Sequence, residues 1–314
     1  MKRRLIKASL WLSVGLFGFI VSCANPPIIG PSIAAMSWWD TFIRAFIRDS
    51  FIGYVVPMIL AVVGFVFKSR PLRWAILAYA VVYLGFVIRL PVDGLGLPST
   101  LTLYLFRDAG VKQYLYLYLI LLVAILISLG IGRVFCGWVC PMGGIQQFFL
   151  RKGLGIKVNW RVHNWLRWLR YAVLAVIIVT AVVWRVTWWG PNDPFRNFYR
   201  QDFTIIGVTL LVLAFGGALF VGAPWCRYAC PLGALIALFS KLSFFKVKVD
   251  DSKCTNCGRC WREDCIYQAI TPGKGEVKPK VHQLDCTSCR ECVDKCPSQA
   301  IVLRLKKSEL TKKS

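Results

Sequence analysis

The sequence predicts a mainly α-helical membrane protein, a polytopic bundle of five to six spans carrying a small C-terminal α+β domain. Three observations carry that prediction. Of 314 residues, 57% are hydrophobic and only 17% charged, with mean hydropathy +0.56, whereas a soluble domain is about a quarter charged. Apolar runs long enough to cross about 30 Å of hydrocarbon recur along the first two thirds of the chain. Thirteen cysteines stand against two histidines, and twelve of the cysteines fall into two kinds of motif. The abundance of apolar surface excludes disorder. Two histidines leave a bis-histidine haem between membrane helices short of ligands.

The five full-length runs cover 51–67, 72–88, 114–131, 171–187 and 203–221. A sixth candidate, 8–21, is shorter and follows the basic cluster Lys2, Arg3, Arg4 and Lys7. It reads either as a retained first helix, the preferred reading, or as a signal segment, because Ile20-Val21-Ser22-Cys23 has the form of a lipoprotein cleavage box with Cys23 as the lipidated residue. The pairs Trp38–Trp39 and Trp188–Trp189 sit where interfacial aromatic belts are expected. From Trp38 to Arg48, apolar and charged residues alternate at helical spacing, as in a helix lying flat on the outer surface. The organisation that results is a first helix or signal at 1–24, a membrane core at 25–243, a cluster-binding domain at 244–303 and a basic tail at 304–314.

The net charge of +24 raises nucleic acid as a partner, but its distribution decides otherwise. With both termini inside, the inner segments carry 31 of the 39 Lys and Arg against 9 acids, and the outer segments 8 against 6. The short loops agree with the positive-inside rule. The charge is a topology signal, and the partner it implies is a lipid membrane rather than nucleic acid.

The C-terminal motif is Cys254-x2-Cys257-x2-Cys260-x4-Cys265, followed by Cys286-x2-Cys289-x2-Cys292-x3-Cys296-Pro297. Three thiolates at two-residue gaps wrap one turn of backbone around a cubane face, and in two-cluster ferredoxins the fourth ligand comes from the other half. One [4Fe–4S] cluster is therefore assigned to Cys254, Cys257, Cys260 and Cys296, the second to Cys286, Cys289, Cys292 and Cys265. Two zinc sites are the competing reading, though zinc rarely uses triplets with a distant swap. Cys265 departs from the pattern, with four residues before it and Ile266 in place of proline. An alternating strand is expected at 244–249, and strands are expected to begin at Ala269-Ile270 and Ala300-Ile301. Lys253, Arg259, Arg262, Arg290 and Lys295 surround the cluster turns, either as a surface for an acidic redox partner or as a plain solvated face.

The second motif occurs twice, at Cys136-x3-Cys140-Pro141-x-Gly143 and Cys226-x3-Cys230-Pro231-x-Gly233, 90 residues apart and each closing a span. A cysteine pair at i and i+4 shares a face if helical. Two such corners brought together make a redox or metal site of four thiols. Spacing leaves open an additional iron–sulfur cluster, a thiol/disulfide pair, a transient metal site, or small residues that simply let helices pack closely.

At these residues the chain resembles the NapH/NosR-like family of membrane polyferredoxins, over roughly 51–304. The resemblance implies electron transfer from quinol towards a terminal reductase, with the corners and the cluster domain on the cytoplasmic side of an inner membrane. It also implies redox partner subunits and contact with the quinone pool. The large extracytoplasmic flavin domain typical of NosR is missing, so the shorter NapH type is the better match. The related CcoG type, linked to copper handling in oxidase assembly, supplies a second function, because soft thiolates suit Cu(I). A passive membrane anchor for a redox partner is a third. No quinone site is legible: Tyr114, Tyr116 and Tyr118 read as interfacial belt beside Arg107–Asp108 and Arg89/Asp93. His163, expected in the basic inner loop, and His282 are not obvious intramembrane proton acceptors.

Overall fold

The computed structural model describes residues 49–87, 111–150, 157–184, 188–201, 203–273 and 277–305. The 8–21 candidate, Cys23, the segment from Trp38 to Arg48, Arg89, Asp93, Arg107, Asp108 and the tail beyond 305 lie outside the described residues.

The chain builds helices α1 (Asp49–Val66), α2 (Arg70–Val87) and α3 (Val111–Ile131), then the short α4 (Val134–Trp138) and α5 (Pro141–Leu150). Two further helices, α6 (Trp160–Leu166) and α7 (Leu169–Val183), run on as one apolar unit, followed by α8 (Trp189–Asn192), α9 (Pro194–Arg200) and α10 (Ile205–Phe220). The bundle closes with α11 (Trp225–Ala229) and α12 (Pro231–Ser240). Local chemistry sets the boundaries. Ser69 caps α2 by accepting from the Leu72 amide, with Pro71 in the first turn. Asp193 caps α9 by accepting from the Phe195 and Arg196 amides at 2.9 Å. Gln201 ends α9 in the left-handed region at φ 63°, which turns the chain sharply into α10.

Arg70–Val87 and Trp160–Val183 are long and apolar enough to cross a membrane, and α9 with α10, bent by 101°, would make a third if the pair is one span. The apolar runs at 51–67 and 114–131 are helical as well, in shorter described apolar stretches, Ile52–Val66 and Tyr118–Ile131. Val56, Ile59, Val63, Val176, Val179, Leu213 and Phe220 face outward from the bundle, while Tyr54, Met58, Leu84, Ile120, Trp138 and Phe195 fill its core. Apolar side chains on both faces of a helix are what a lipid-facing bundle requires.

The C-terminal segment is tied to the end of this bundle. Strands β1 (Phe245–Val249) and β2 (Ile301–Leu305) pair antiparallel, with Val247 opposite Leu303, and the Phe244 amide donates to the Leu129 carbonyl of α3 at 3.0 Å. The strand expected at Ala269-Ile270 is reduced to a single bridge, Ile270 to Val281. Pro272 and Pro279 carry no amide hydrogen, so the ladder cannot extend beyond Thr271 and Lys280.

Candidate metal centre

The two C-x3-C-P corners are built alike, but not as an i, i+4 pair on one helix. A proline drives the residue before it out of the helical region. Cys230 accordingly adopts φ −69°, ψ 112°, leaves α11 and becomes the N-cap of α12, its thiol accepting from the Gly233 amide at 3.3 Å. Cys140 repeats the arrangement before α5, with hydrogen bonds from the Gly143 and Met142 amides. Each second cysteine thus sits at the positive end of a helix, where a thiolate is least costly.

The four corner cysteines are brought together. Burial pushes the Cys230 thiol up to about 12, and Cys136 adds to the effect. Burial raises Cys140 and Cys226 as well; Cys136 and Cys230 add to the first, and Cys230, Cys140 and Cys136 to the second. Gln146 of α5 reaches from the first corner to the second, its Nε2 3.1 Å from Cys226 Sγ. Arg133 Nη2 lies 3.9 Å from Cys136 Sγ. Thiols held this far above their ordinary range stay protonated at neutral pH unless a cation takes the proton's place.

The cluster motifs show their repeat in the backbone. Asn256 and Gly258 of the first turn and Ser288 and Arg290 of the second occupy the same offsets and all have positive φ, as do Gln268 and Gln299, each three residues past Cys265 and Cys296. Such successive left-handed turns curl amide groups around a concavity suited to an anionic group. Cys254, Cys257, Cys260 and Cys296 line one cavity, together with Pro297, Ala300 and Ile301. Burial and the three neighbouring thiols push Cys260 up to about 11, whereas against the cost of burial hydrogen bonds from Ser298, Ala300 and Ile301 hold Cys296 below its ordinary value. Cys265 lies instead with the other set: burial raises Cys292, and Cys265, Cys289 and Cys286 add to it. Burial, Cys289 and Cys265 push Cys286 up to about 12. Among the described residues no three His, Cys, Asp or Glu converge as a single chelated ion requires. An all-thiol donor set around a cavity fits a polynuclear iron–sulfur group.

The second cluster turn rests directly on the first corner. A Cβ on Gly137 would overlap the Thr287 carbonyl oxygen and approach Cys289, so only glycine permits this contact. Trp138 Nε1 donates to the Ser288 carbonyl at 3.1 Å, and Ser288 Oγ to the Ile131 carbonyl at 3.1 Å. Arg133 Nη1 donates to the Leu284 carbonyl at 2.9 Å, and Arg170 pairs with Asp285 at 2.6 Å. Burial opposes ionisation of Asp285, but the His282 hydrogen bond and the Arg170 charge hold its carboxyl well below the usual range. On the opposite side, Lys157 donates to the Cys265 carbonyl at 3.1 Å.

Some residues lie elsewhere than the sequence reading put them. His163 is a buried residue of α6 rather than of a loop, with Nδ1 3.0 Å from Tyr228 Oη, and Arg227 joins Tyr228 to Gln268. Lys253, Arg259 and Arg262 are exposed. Arg290 is not part of that face: it is buried and donates to the Phe65 carbonyl. Lys295 is engaged by Asp264 at 3.0 Å and Glu291 at 3.3 Å. Sequence reasoning missed Arg133, Arg170 and Tyr267. The available signal was a basic residue within four positions of a motif cysteine, at Arg133 and again at Arg227.

Comparison with known proteins places the same residues in cluster-binding families. A family model described as a 4Fe-4S binding domain matches twice, at 115–165 and 203–250, so each match contains one corner. A model described as a 4Fe-4S dicluster domain matches 253–301. The uncharacterized protein MJ0750 of Methanocaldococcus jannaschii is 32% identical over 55% of this chain and 73% of its own length. The ferredoxin-type protein NapH of Haemophilus influenzae is 32% identical over 52% of this chain and 59% of its own. The regulatory protein NosR of Pseudomonas aeruginosa is 34% identical over 52% of this chain and 24% of its own. No solved structure matches.

Proposed function

Because the chain belongs to the NapH/NosR-like family of membrane polyferredoxins, we propose that it is a membrane-bound electron-transfer subunit linking the quinone/quinol pool to a partner reductase. Five spans at 25–243, six with the first helix at 1–24, would carry a cytoplasmic two-cluster domain at 244–303.

Cys254, Cys257, Cys260 and Cys296 would hold one [4Fe–4S] cluster, and Cys265, Cys286, Cys289 and Cys292 the other. Bound there, such clusters supply one-electron chemistry with little rearrangement, tuned by the hydrogen bonds and charges around the thiolates. Cys136, Cys140, Cys226 and Cys230 form the third redox site, of the same class, at the end of the bundle. The chain's own residues set the order of the sites. Gly137, Trp138 and Ser288 press the second cluster turn onto the corner, while the first turn faces away with Cys257 exposed.

The observation that carries this reading is that Cys296, 36 residues beyond Cys260, lines the same cavity as the first three cysteines, as a swapped ligand would. A chance pairing of two zinc ribbons gives no such exchange. Iron and acid-labile sulfide content, with EPR after dithionite reduction, tests it on the detergent-solubilised full chain. Reducible iron in both ferredoxin sets and at the corners is expected. Stoichiometric zinc without reducible iron would overturn it.

A further inference from the structure

Resting on that reading, we infer that Arg133 is the shared counter-charge of two redox sites, the four corner thiols and the Cys265, Cys286, Cys289 and Cys292 set, and raises the reduction potential of both.

The guanidinium is 2% exposed and stands where three segments meet. Nη2 is 3.9 Å from Cys136 Sγ in the first corner, and a Cβ built on Gly233, in the second, would come within 2.9 Å of the same nitrogen. Nη1 donates at 2.9 Å to the Leu284 carbonyl, two residues before Cys286. Nε has no hydrogen-bond partner, and among the described residues no carboxylate forms an ion pair with Arg133. A buried guanidinium without a carboxylate is costly unless another anion balances it. Asp285 lies within its electrostatic reach but is engaged by Arg170 at 2.6 Å, and the other anions at hand are sulfur, of Cys136, Cys230 and Cys286. Four thiolates around an iron–sulfur group leave net negative charge at each site, so the charges match in sign and in place.

The consequence is directional. Reduction adds one electron, and therefore one negative charge, to either site with no proton required. A fixed cation beside both sites favours the reduced form of both, the more so in a low-dielectric interior. Among the described residues Arg133 makes no hydrogen bond to the Cys254, Cys257, Cys260 and Cys296 set, which lines a cavity that Arg133 does not border. Tyr267 occupies the same divide: it is 3% exposed, its hydroxyl lacks a partner, and Cys226, Cys289 and Cys136 are its electrostatic neighbours. Polar groups thus collect where the corner meets the second cluster turn.

The test is an EPR-monitored potentiometric titration, with dithionite as reductant, of the full chain and its Arg133→Gln and Arg133→Lys variants, each with iron content measured first. In Arg133→Gln the corner signal and one ferredoxin signal should move to more negative potential while the other ferredoxin signal stays. Arg133→Lys should restore most of the shift. Unchanged potentials with full iron content would overturn the inference, as would an equal shift of all three signals. If Arg133→Gln loses iron, Arg133→Lys decides: near wild-type potentials at both sites support the charge role, and a fall at both overturns it. A wild-type protein holding iron only in the ferredoxin sets fails the three-site reading itself, and is seen before any variant is made.

Discussion

The two halves of the cluster domain are near copies in sequence and backbone, yet they stand in opposite environments. The first turn, from Cys254 to Cys260, faces outward with Lys253, Cys257, Arg259 and Arg262 exposed. The second, from Cys286 to Cys292, is pressed against the bundle end, with Asp285, Thr287, Ser288 and Arg290 buried. What differs is the partner: solvent and a prospective redox protein for one, the corner for the other. A duplicated unit becomes a path when its copies are given different neighbours.

The largest effect that sharpens this comparison comes from the ligands. Cys289→Ser should abolish electron flow between the corner site and a soluble acceptor, because the second set lies between them. Cys257→Ser should leave the second set reducible from the corner and stop only the outward step. Freeze-quench EPR after a reducing pulse separates the two. Equal loss at both stages in the two variants would break the asymmetry.

Next come the charges that hold the halves. Asp285 is paired with Arg170 at 2.6 Å, and the two side chains are almost wholly buried. Asp285→Asn should weaken docking of the second half by about 3–5 kcal/mol, the scale for breaking a buried pair. Arg70, half exposed and paired with Asp294 at 2.8 Å, should cost about 0–1 kcal/mol when changed to Gln. Protease sensitivity of the C-terminal segment in the intact membrane protein reads the difference, and comparable sensitivity in the two would count against an anchored inner half.

Much of this was legible in the sequence, and the limits have physical causes. Apolar runs report burial by length alone, and each of the runs at 51–67, 72–88, 114–131, 171–187 and 203–221 contains a described helix. The place of Cys296 in the cavity of the first three cysteines agrees with the motif spacing, because a triplet cannot close its own site. The geometry of the corners is not legible from the i, i+4 spacing, since Pro141 and Pro231 act on the residue before them and turn the second cysteine into a cap. Arg133 and Arg170 were invisible as site residues. A buried arginine looks like a topology charge until its partners, Leu284 and Asp285, are known, and those lie more than 100 residues away.

A smaller effect tests the contact itself. Gly137→Ala places a methyl group against the Thr287 carbonyl and Cys289, so overpacking of about 1–3 kcal/mol is expected. Gly130, seven residues earlier near the end of α3, has nothing within 4 Å of its Cβ position, and Gly130→Ala should be close to neutral. Thermal stability of the cluster absorbance measures both. Equal tolerance would mean that the second turn is not seated on the corner.

The smallest effect belongs to the outer face. Lys253, Arg259 and Arg262 are exposed, and Arg259 meets Asp264 only at 3.6 Å with half its side chain in solvent. They contribute little to stability, as exposed pairs generally do. Their role would be steering, which acts on encounter rate and is screened beyond about 10 Å at 0.1 M salt. The triple variant to Gln should slow oxidation of the reduced protein by ferricyanide, an anion, by several-fold at low ionic strength. It should leave oxidation by the cationic hexaammine cobalt complex no slower. The difference should fade as salt is added, because nothing but long-range charge separates the variants. If ferricyanide reacts at the wild-type rate at every ionic strength, the outer half owes its exposure to geometry alone, and its basic residues are a solvated face.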